Sequence, residues 1–338
     1  MHRPCASRRR GASRARAASA LVLALALGAG AGCSKKGPAV VKNAERPATD
    51  DDIDREPLAL LPAGAVLVGR LDAHALSSSS LGPKAQRAFE AVAPIAPAAG
   101  FAADRDLESV VAAAYSVQGA DVAVVARGSF EPAAFDRAVE KGALGPYGTP
   151  WVKGEHAGRT VYSSADVSFA PLTKKTALAG SSTGVRRSLD RLRFGAPKVE
   201  LPAWASDVVA GSAPFALAGE WGDQPLAAEI VARAPFLSGV RAARLSGNFG
   251  PPGVNADGQL SYPSAEAAAD AEGRIRSLGQ LASIASIIGL SPIHDFRSDV
   301  KGERMHVTVA VDGPYLARWL EVVPQMVPML VPRPANPG

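Results

Sequence analysis

His294-Asp295, followed by Arg297, is the arrangement of reactive side chains in this sequence that comes nearest to a catalytic pair. An imidazole beside a carboxylate can activate a nucleophile. The other histidines of the body, His74, His156 and His306, stand alone and fit no HExxH spacing for zinc. We interpret all four as surface or structural residues, with His294-Asp295 in a loop before a strand. The sequence therefore predicts no catalytic residue and no metal site.

Gly180-Ser181-Ser182-Thr183-Gly184 lies between a predicted strand and a predicted helix, where backbone N–H groups can hold an anion. Arg186 and Arg187 follow, but the Gly-Lys-Ser/Thr end of a P-loop is missing. The simpler interpretation is that Ser182 or Thr183 caps the helix.

Three further polar runs also have structural interpretations. Ser77–Ser80 lacks the Gly-x-Ser-x-Gly context of a serine hydrolase, which favours a loop and helix cap. Asp104-Arg105-Asp106 offers paired carboxylates, and we expect it to cap a short helical turn. Asp50-Asp51-Asp52 lacks the glycine and distal glutamate of a calcium loop, and we expect a solvated linker.

The start of the chain has the layout of a secretory signal. An apolar stretch, Ala17–Leu27, leads through the small residues Gly28–Gly32 to Cys33, which is followed by Ser34-Lys35-Lys36. The basic residues all precede the apolar stretch: Arg3, Arg8, Arg9, Arg10, Arg14 and Arg16.

Gly32-Cys33 at the end of this leader resembles the lipobox of bacterial lipoproteins, although Gly30 stands where a leucine is usual. The resemblance covers about the first 35 residues. It implies that residues 1–32 are removed, that lipid is attached to Cys33, and that the chain is held on a membrane of the cell envelope. Ser34 favours the outer membrane over the inner one. The alternatives are a cut near Ala29-Gly30-Ala31 that releases a soluble protein, and a retained membrane helix.

The charge of the chain belongs largely to its leader. Six of the 37 basic residues and none of the 32 acidic residues precede Cys33, which leaves 31 basic against 32 acidic residues in the mature chain. Nucleic-acid binding needs a basic field that is missing here. The two cysteines, Cys5 and Cys33, leave no disulfide and no cysteine-ligated metal site after processing. We expect no cofactor.

The chain divides into a flexible tether over 33–57, a first unit over 58–200, a second over 201–330 and a disordered tail over 331–338. The seam lies near Gly195–Gly211, and Pro314–Met329 is predicted to be a helix or two short pieces broken at Pro324 and Pro328. Helical periodicity within Arg276–Ile288 predicts a stripe packed on its own sheet.

Two short matches indicate an internal duplication. Val66–Arg70 aligns with Ala216–Glu220, and Val152–Glu155 aligns with Val300–Glu303. The predicted fold is therefore α+β, with two tandem repeated units of antiparallel sheet and helices packed on one face. In this plan the body resembles uncharacterised bacterial surface lipoproteins, a resemblance that carries over no functional residue.

The sequence thus favours a non-catalytic binding or scaffolding protein of the envelope, with the membrane and an envelope protein as partners. A hydrolase acting on envelope material is the alternative, and it would require His294, Asp295 and a serine to converge in one pocket.

Overall fold

One antiparallel sheet of twelve strands runs through the folded body of the protein in this computed structural model. The structure describes residues 47–93, 95–117, 121–146, 148–193, 195–222, 224–226, 228–287 and 293–330. All of them belong to one compact unit, Ala44–Gly338. Cys33, its leader, the first part of the predicted tether and the predicted tail lie outside the described residues.

Every pairing in the sheet is antiparallel, although some neighbouring strands are not consecutive in the chain. Its strand order is β11-β12-β10-β9-β8-β1-β2-β3-β7-β6-β5-β4. The strands are β1 Leu67–Asp72, β2 Leu107–Ala114, β3 Val122–Gly128, β4 Val152–His156, β5 Arg159–Ser164, β6 Val167–Pro171, β7 Thr176–Ser181, β8 Phe215–Glu220, β9 Ala242–Asn248, β10 Gly253–Ser261, β11 Ile293–Lys301 and β12 Arg304–Asp312.

Helices connect and cover these strands. They are α1 Asp50–Arg55, α2 Ala73–Ser77, α3 Gly82–Val92, α4 Ile95–Ala98, α5 Ala103–Asp106, α6 Pro132–Glu140, α7 Ser182–Asp190, α8 Ala203–Ala210, α9 Ala228–Arg233, α10 Ala265–Ile287 and α11 Gly313–Leu330. Short 3₁₀ turns occupy Pro57–Leu60 and Pro235–Leu237. The mixed α and β character that the sequence predicts is confirmed. Of the two alternatives for 314–329, the single helix is confirmed and the two short pieces are not, because α11 continues through Pro324 and Pro328.

Helices cover both faces of the N-terminal half of the sheet, so the prediction of helices on one face is wrong. Consecutive residues of a strand point to opposite faces. In β7, Leu178 is buried in a core formed with α1, α7 and α8, whereas Ala177 is buried in an aromatic core formed with α4 and α6. In β5, Val161 and Tyr162 divide between the same two cores. Strands that are apolar on both sides need cover on both sides.

The folded body begins earlier than predicted, because residues 49–57 are ordered rather than a tether. Thr49 and Asp52 form a capping box at the start of α1, and Ile53 of this helix is fully buried. The carboxylate of Asp54 accepts hydrogen bonds from the hydroxyls of Thr173 (2.6 Å) and Thr176 (2.8 Å), which fixes α1 to the β6–β7 turn. The sequence of α1 has no apolar periodicity that would predict a helix, because Ile53 is its one apolar residue.

Replacing Asp54 by alanine is expected to lower the free energy of unfolding by about 2–3 kcal/mol, because the buried hydroxyls of Thr173 and Thr176 lose their acceptor. Asp51→Ala is the matched control, since Asp51 is an exposed acid of the same helix. Urea unfolding of the two variants measures the difference. Equal midpoints would show that α1 does not depend on this carboxylate.

The two predicted units meet within the sheet, where β1 pairs with β8. Leu67 is opposite Gly219, Val68 is opposite Ala218 and Gly69 is opposite Leu217. The pairing is therefore symmetric about Val68 and Ala218, the central residues of the first pair of matched segments. The second pair of segments is not equivalent in position, because Gly154 lies within β4 whereas Gly302 lies in the β11–β12 turn with φ +59°.

At this junction each glycine leaves room for the leucine of the other strand. A Cβ atom at Gly219 would lie 2.7 Å from Leu67 Cδ1 and 2.8 Å from the carbonyl oxygen of Val66. A Cβ atom at Gly69 would lie 3.2 Å from Leu217 Cδ1, a contact that a small side-chain shift relieves. The close approach of the two strands therefore depends on glycine at position 219 more than at position 69.

Gly219→Ala is expected to destabilise the fold by about 1–3 kcal/mol, since the clash involves backbone as well as side chain. Gly69→Ala, its counterpart across the junction, is expected to cost less than about 1 kcal/mol by the same reasoning. Thermal unfolding of both variants provides the comparison. The explanation fails if Gly69→Ala is the more damaging change.

Candidate functional site

Four strands, β9 to β12, present a polar side of the sheet over which no described helix packs. Their residues alternate, so that Ala256 and Met305 are buried on the side covered by α10 while the intervening residues face the other way. We call the exposed side the open polar face. It is formed by Arg244, Ser246 and Asn248 of β9, Asn255, Asp257 and Gln259 of β10, Asp295, Arg297, Asp299 and Lys301 of β11, and Arg304, His306, Thr308 and Asp312 of β12.

A groove with a volume of about 490 Å³ lies on the open polar face. Its floor includes Ser246, Asn255, Asp257 and Thr308, and the segment 212–214 between α8 and β8 forms one wall. Arg70 of β1 fixes that wall, because its Nη1 donates hydrogen bonds to the carbonyl oxygens of Gly211 (2.8 Å) and Ala213 (2.9 Å). The groove is therefore shaped by residues from both halves of the chain.

The polar side chains that line the groove are hydroxyls, carboxylates and amides, and they stand among small apolar residues. Asp257 accepts a hydrogen bond from the Thr308 hydroxyl at 3.2 Å and forms no ion pair with another described residue. The side-chain amide N–H of Asn255 donates to the side-chain oxygen of Asn248 at 3.2 Å and to the carbonyl oxygen of Pro251 at 3.1 Å. Such a lining suits a polar ligand that donates hydrogen bonds.

The structure does not assemble the catalytic group that the hydrolase hypothesis requires. His294 and Asp295 lie within β11, at an irregularity of its pairing with β12, rather than in a loop before a strand. The imidazole of His294 lies 3.3 Å from Asp312, while Asp295 pairs with Arg297 at 3.1 Å. The two neighbouring side chains therefore have different partners, and neither binds the other.

The other histidines have separate positions. His156 ends β4 and its Nε2 lies 2.9 Å from Asp190 at the end of α7. His74 is an exposed residue of α2, and His306 is exposed on the open polar face. His156 adjoins the turn of the β4–β5 hairpin, which Ala157 and Gly158 form.

The glycine- and serine-rich segment before α7 caps the helix, but through a different residue than predicted. Ser181, not Ser182 or Thr183, accepts the hydrogen bond from Gly184 N at 3.0 Å. Arg187 is committed to Asp121 at 2.8 Å and lies over the ring of Tyr115 at 4.4 Å. The anion-binding interpretation thus loses one of its two arginines.

The remaining polar runs also have structural roles. Asp106 accepts a hydrogen bond from the backbone N–H of Ala102 at 2.9 Å, and the hydrogen bond from Arg105 holds the pKa of Asp106 below its usual value. Ser77–Ser80 ends α2 and leads into α3, as predicted. The run Asp50–Asp52 forms the first turn of α1 and is not a linker.

One polar cluster around the buried Tyr162 has no signal in the sequence. Tyr162 donates a hydrogen bond to Asp136 at 2.8 Å, and Lys153 Nζ lies 2.5 Å from the same carboxylate oxygen. The bond from Lys153 lowers the pKa of Asp136, whereas burial raises the pKa of Tyr162. The cluster ties α6 to β4 and β5, and it adjoins no described groove.

Neither a metal-binding cluster nor a membrane-spanning helix occurs among the described residues. Within the described ranges, no group of three or more His, Cys, Asp or Glu side chains is placed to hold a metal ion. Among the helices of residues 47–330 that are described, none is both long and apolar enough to cross a membrane. The stripe predicted within Arg276–Ile288 falls on side chains that lie outside the described ones; earlier in α10, Ala268, Ala271 and Ile275 are buried against the sheet.

Comparison with known proteins identifies no family and no curated relative. No family model matches the chain. No curated protein matches it. Solved structures of TP0453 are similar: crystal form I has a TM-score of 0.49 at 13% identity, covering 79% of this chain and 97% of that chain. Crystal form III has a TM-score of 0.49 at 14% identity, and form IV has 0.47 at 17% identity. Form III covers 79% of this chain and 97% of its own, and form IV covers 78% and 95%.

Proposed function

We propose that this chain is a lipid-anchored protein of the cell envelope, attached through Cys33, and that it binds an envelope partner without catalysis through the open polar face. The attachment is supported by the resemblance of Gly32-Cys33 and its leader to a lipobox. We place the anchor in the outer membrane rather than the inner one because Ser34 follows the cysteine. A near-neutral mature chain is compatible with an anchor that acts through lipid rather than through surface charge.

The observation that carries the binding role is the groove on the open polar face. An antiparallel sheet can leave one face to water, so polar residues alone mark no site. Here, however, the face is concave, because the segment held by Arg70 rises beside it. The Asp257 carboxylate in the groove forms no ion pair with a described residue, which leaves it available to a hydrogen-bond donor.

We further propose that the two halves of the body arose by duplication. The symmetric pairing of β1 with β8, centred on the first pair of matched segments, supports this proposal. So does the order of pairing, since β1-β2-β3-β7 in the first half corresponds to β8-β9-β10-β12 in the second. Strands β4 and β5 would then be an addition to the first half.

The lipid anchor is tested by the mass of the N-terminal peptide of protein purified from its native membrane fraction. We expect a peptide that starts at Cys33 and carries acyl chains, because the lipobox resemblance implies a cut before this residue. Cys33→Ser is expected to remove the modification and to move the protein into the soluble fraction or leave its leader intact. An unmodified N-terminus in the unaltered chain would contradict the anchor.

The binding role is tested by labelling histidines with diethyl pyrocarbonate in the native membrane and in the purified chain. His306 lies on the open polar face, and His74 lies on α2 away from it, yet both are exposed. We expect labelling of His306 to fall several-fold in the membrane while labelling of His74 stays constant, because a bound partner shields only the face.

Equal labelling of His306 in the two preparations would count against an occupied face. Asp257→Asn provides the second arm, since it removes the charge of the groove while keeping a similar shape. If this variant leaves His306 as protected as in the unaltered chain, the partner does not bind through the groove.

A further inference from the structure

Strand β11 is an outer edge of the sheet, with β12 on one side and no described strand on the other. Two residues, Gly302 and Glu303, connect the paired Lys301 and Arg304. In such a hairpin the residues that flank the turn exchange backbone hydrogen bonds, and the pattern then alternates along the strand. The backbone N–H and C=O groups of Phe296, Ser298 and Val300 therefore point away from the sheet.

The charged residues of this edge alternate in sign. Asp295, Arg297, Asp299 and Lys301 occupy successive positions on the open polar face. Charged residues on an edge strand normally discourage pairing with another strand. That rule depends on the charges that meet, because opposite charges across two strands attract and like charges repel.

An antiparallel second copy of β11, centred on Ser298, brings opposite charges together at every charged position. Asp295 then lies opposite Lys301 of the second copy, and Arg297 lies opposite its Asp299. Both pairs occur twice by symmetry. They fall at the positions that exchange no backbone hydrogen bonds between the copies, where side chains approach more closely.

The neighbouring registers are unfavourable. The outward-pointing N–H and C=O groups of one copy must bind those of the other copy. The centre of the pairing can therefore move only to positions at which such residues still lie opposite each other. Moving the centre to Arg297 places that arginine against its own copy and Asp295 against Asp299. Moving it to Asp299 places Arg297 against Lys301. The order of charges thus selects the register centred on Ser298 over both.

The other side of the strand supports the same register. Phe296 and Val300 are partly buried hydrophobic residues packed against the core beneath α10. In the register centred on Ser298, Phe296 lies opposite Val300 of the second copy, so the apolar layer continues across the edge. If the charges served only to prevent pairing of this edge with another strand, the apolar residues of two copies would not need to lie opposite each other.

We propose that β11 is a self-pairing edge through which two copies of this chain form a symmetric dimer with one continuous sheet. A two-fold axis through Ser298 makes the interface self-complementary, as closed dimers require. The partner is a second copy of this chain rather than an unrelated strand, because the sequence of charges is complementary to itself. This proposal is independent of lipid attachment at Cys33.

Ser298→Cys in the full chain tests the proposal, because the two cysteines would face each other across the axis. Residues in a hydrogen-bonded antiparallel pair have Cα atoms ~5.5 Å apart, within the ~4.4–6.8 Å range of disulfides. We expect mild oxidation to give a cross-linked dimer on a non-reducing gel. Thr308→Cys, an exposed position on the inner strand β12, is the matched control and should remain largely monomeric.

The unaltered chain, which contains Cys5 and Cys33, measures any background from those residues. Ser298 is only partly buried, so its replacement by the similar cysteine is expected to leave the fold intact, which circular dichroism checks. A folded Ser298→Cys chain that cross-links no more than Thr308→Cys overturns the proposal.

A charge exchange provides an independent test of the edge charges. In the Ser298→Cys background, one variant carries Asp295→Lys with Asp299→Lys, and the other carries Arg297→Asp with Lys301→Asp. Each alone should lose most of its cross-linking, because all four positions then carry the same sign. Mixing the two should restore it as a mixed dimer. Cross-linking that is insensitive to these changes, or a mixture that recovers nothing, contradicts pairing through these charges.

Discussion

The antiparallel pairing of β1 with β8 joins the two halves of the chain, and the continuous sheet depends on it. Without this pairing the strands of the two halves would form two separate sheets, and β1 and β8 would each be an exposed edge strand. Close approach here requires glycine at position 219, since a Cβ atom there would meet Leu67 and the carbonyl oxygen of Val66, whereas the contact at Gly69 is mild. The same pairing brings Arg70 of the first half beneath the segment that walls the groove of the second half.

The two halves solve the problem of covering a sheet in different ways. In the N-terminal half, strands with apolar residues on both sides lie between helices, and α1 is recruited to complete one side. In the C-terminal half, an alternation of mostly polar with mostly apolar residues leaves one side to solvent while the antiparallel pairing continues. The candidate binding surface therefore exists because the side-chain pattern changes where the backbone topology does not.

Much of the fold could be predicted from local sequence, but its assembly could not. The β4–β5 hairpin and the helix at 132–140 follow from turn residues and periodicity, because these signals act within a few residues. Helix α1 escaped notice because a single buried Ile53 and a capping box give little periodicity. The merging of two sheets into one rests on contacts between residues far apart in the chain, which local patterns do not encode.

The candidate site was within reach of the same reasoning. The segments 293–301 and 304–312 alternate polar and apolar residues, the pattern of a strand with one solvated face. Interpreting His294-Asp295 as a loop obscured this pattern, since it removed the start of β11 from the strand. What the sequence alone could not give is the groove, because its wall comes from residues 212–214 and from an arginine in β1.

The open polar face and the β11 edge share residues, and this sharing constrains how both can act. Asp295 lines the groove and also belongs to the alternating charges of the edge. Within one chain its carboxylate binds Arg297 at 3.1 Å, so a new partner for either residue must compete with that pair. Exposed ion pairs of this kind contribute little to stability, which makes exchange of partners inexpensive. A ligand that engages Asp295 in the groove would withdraw it from the edge, so binding on the face and pairing of two copies would influence each other through this carboxylate.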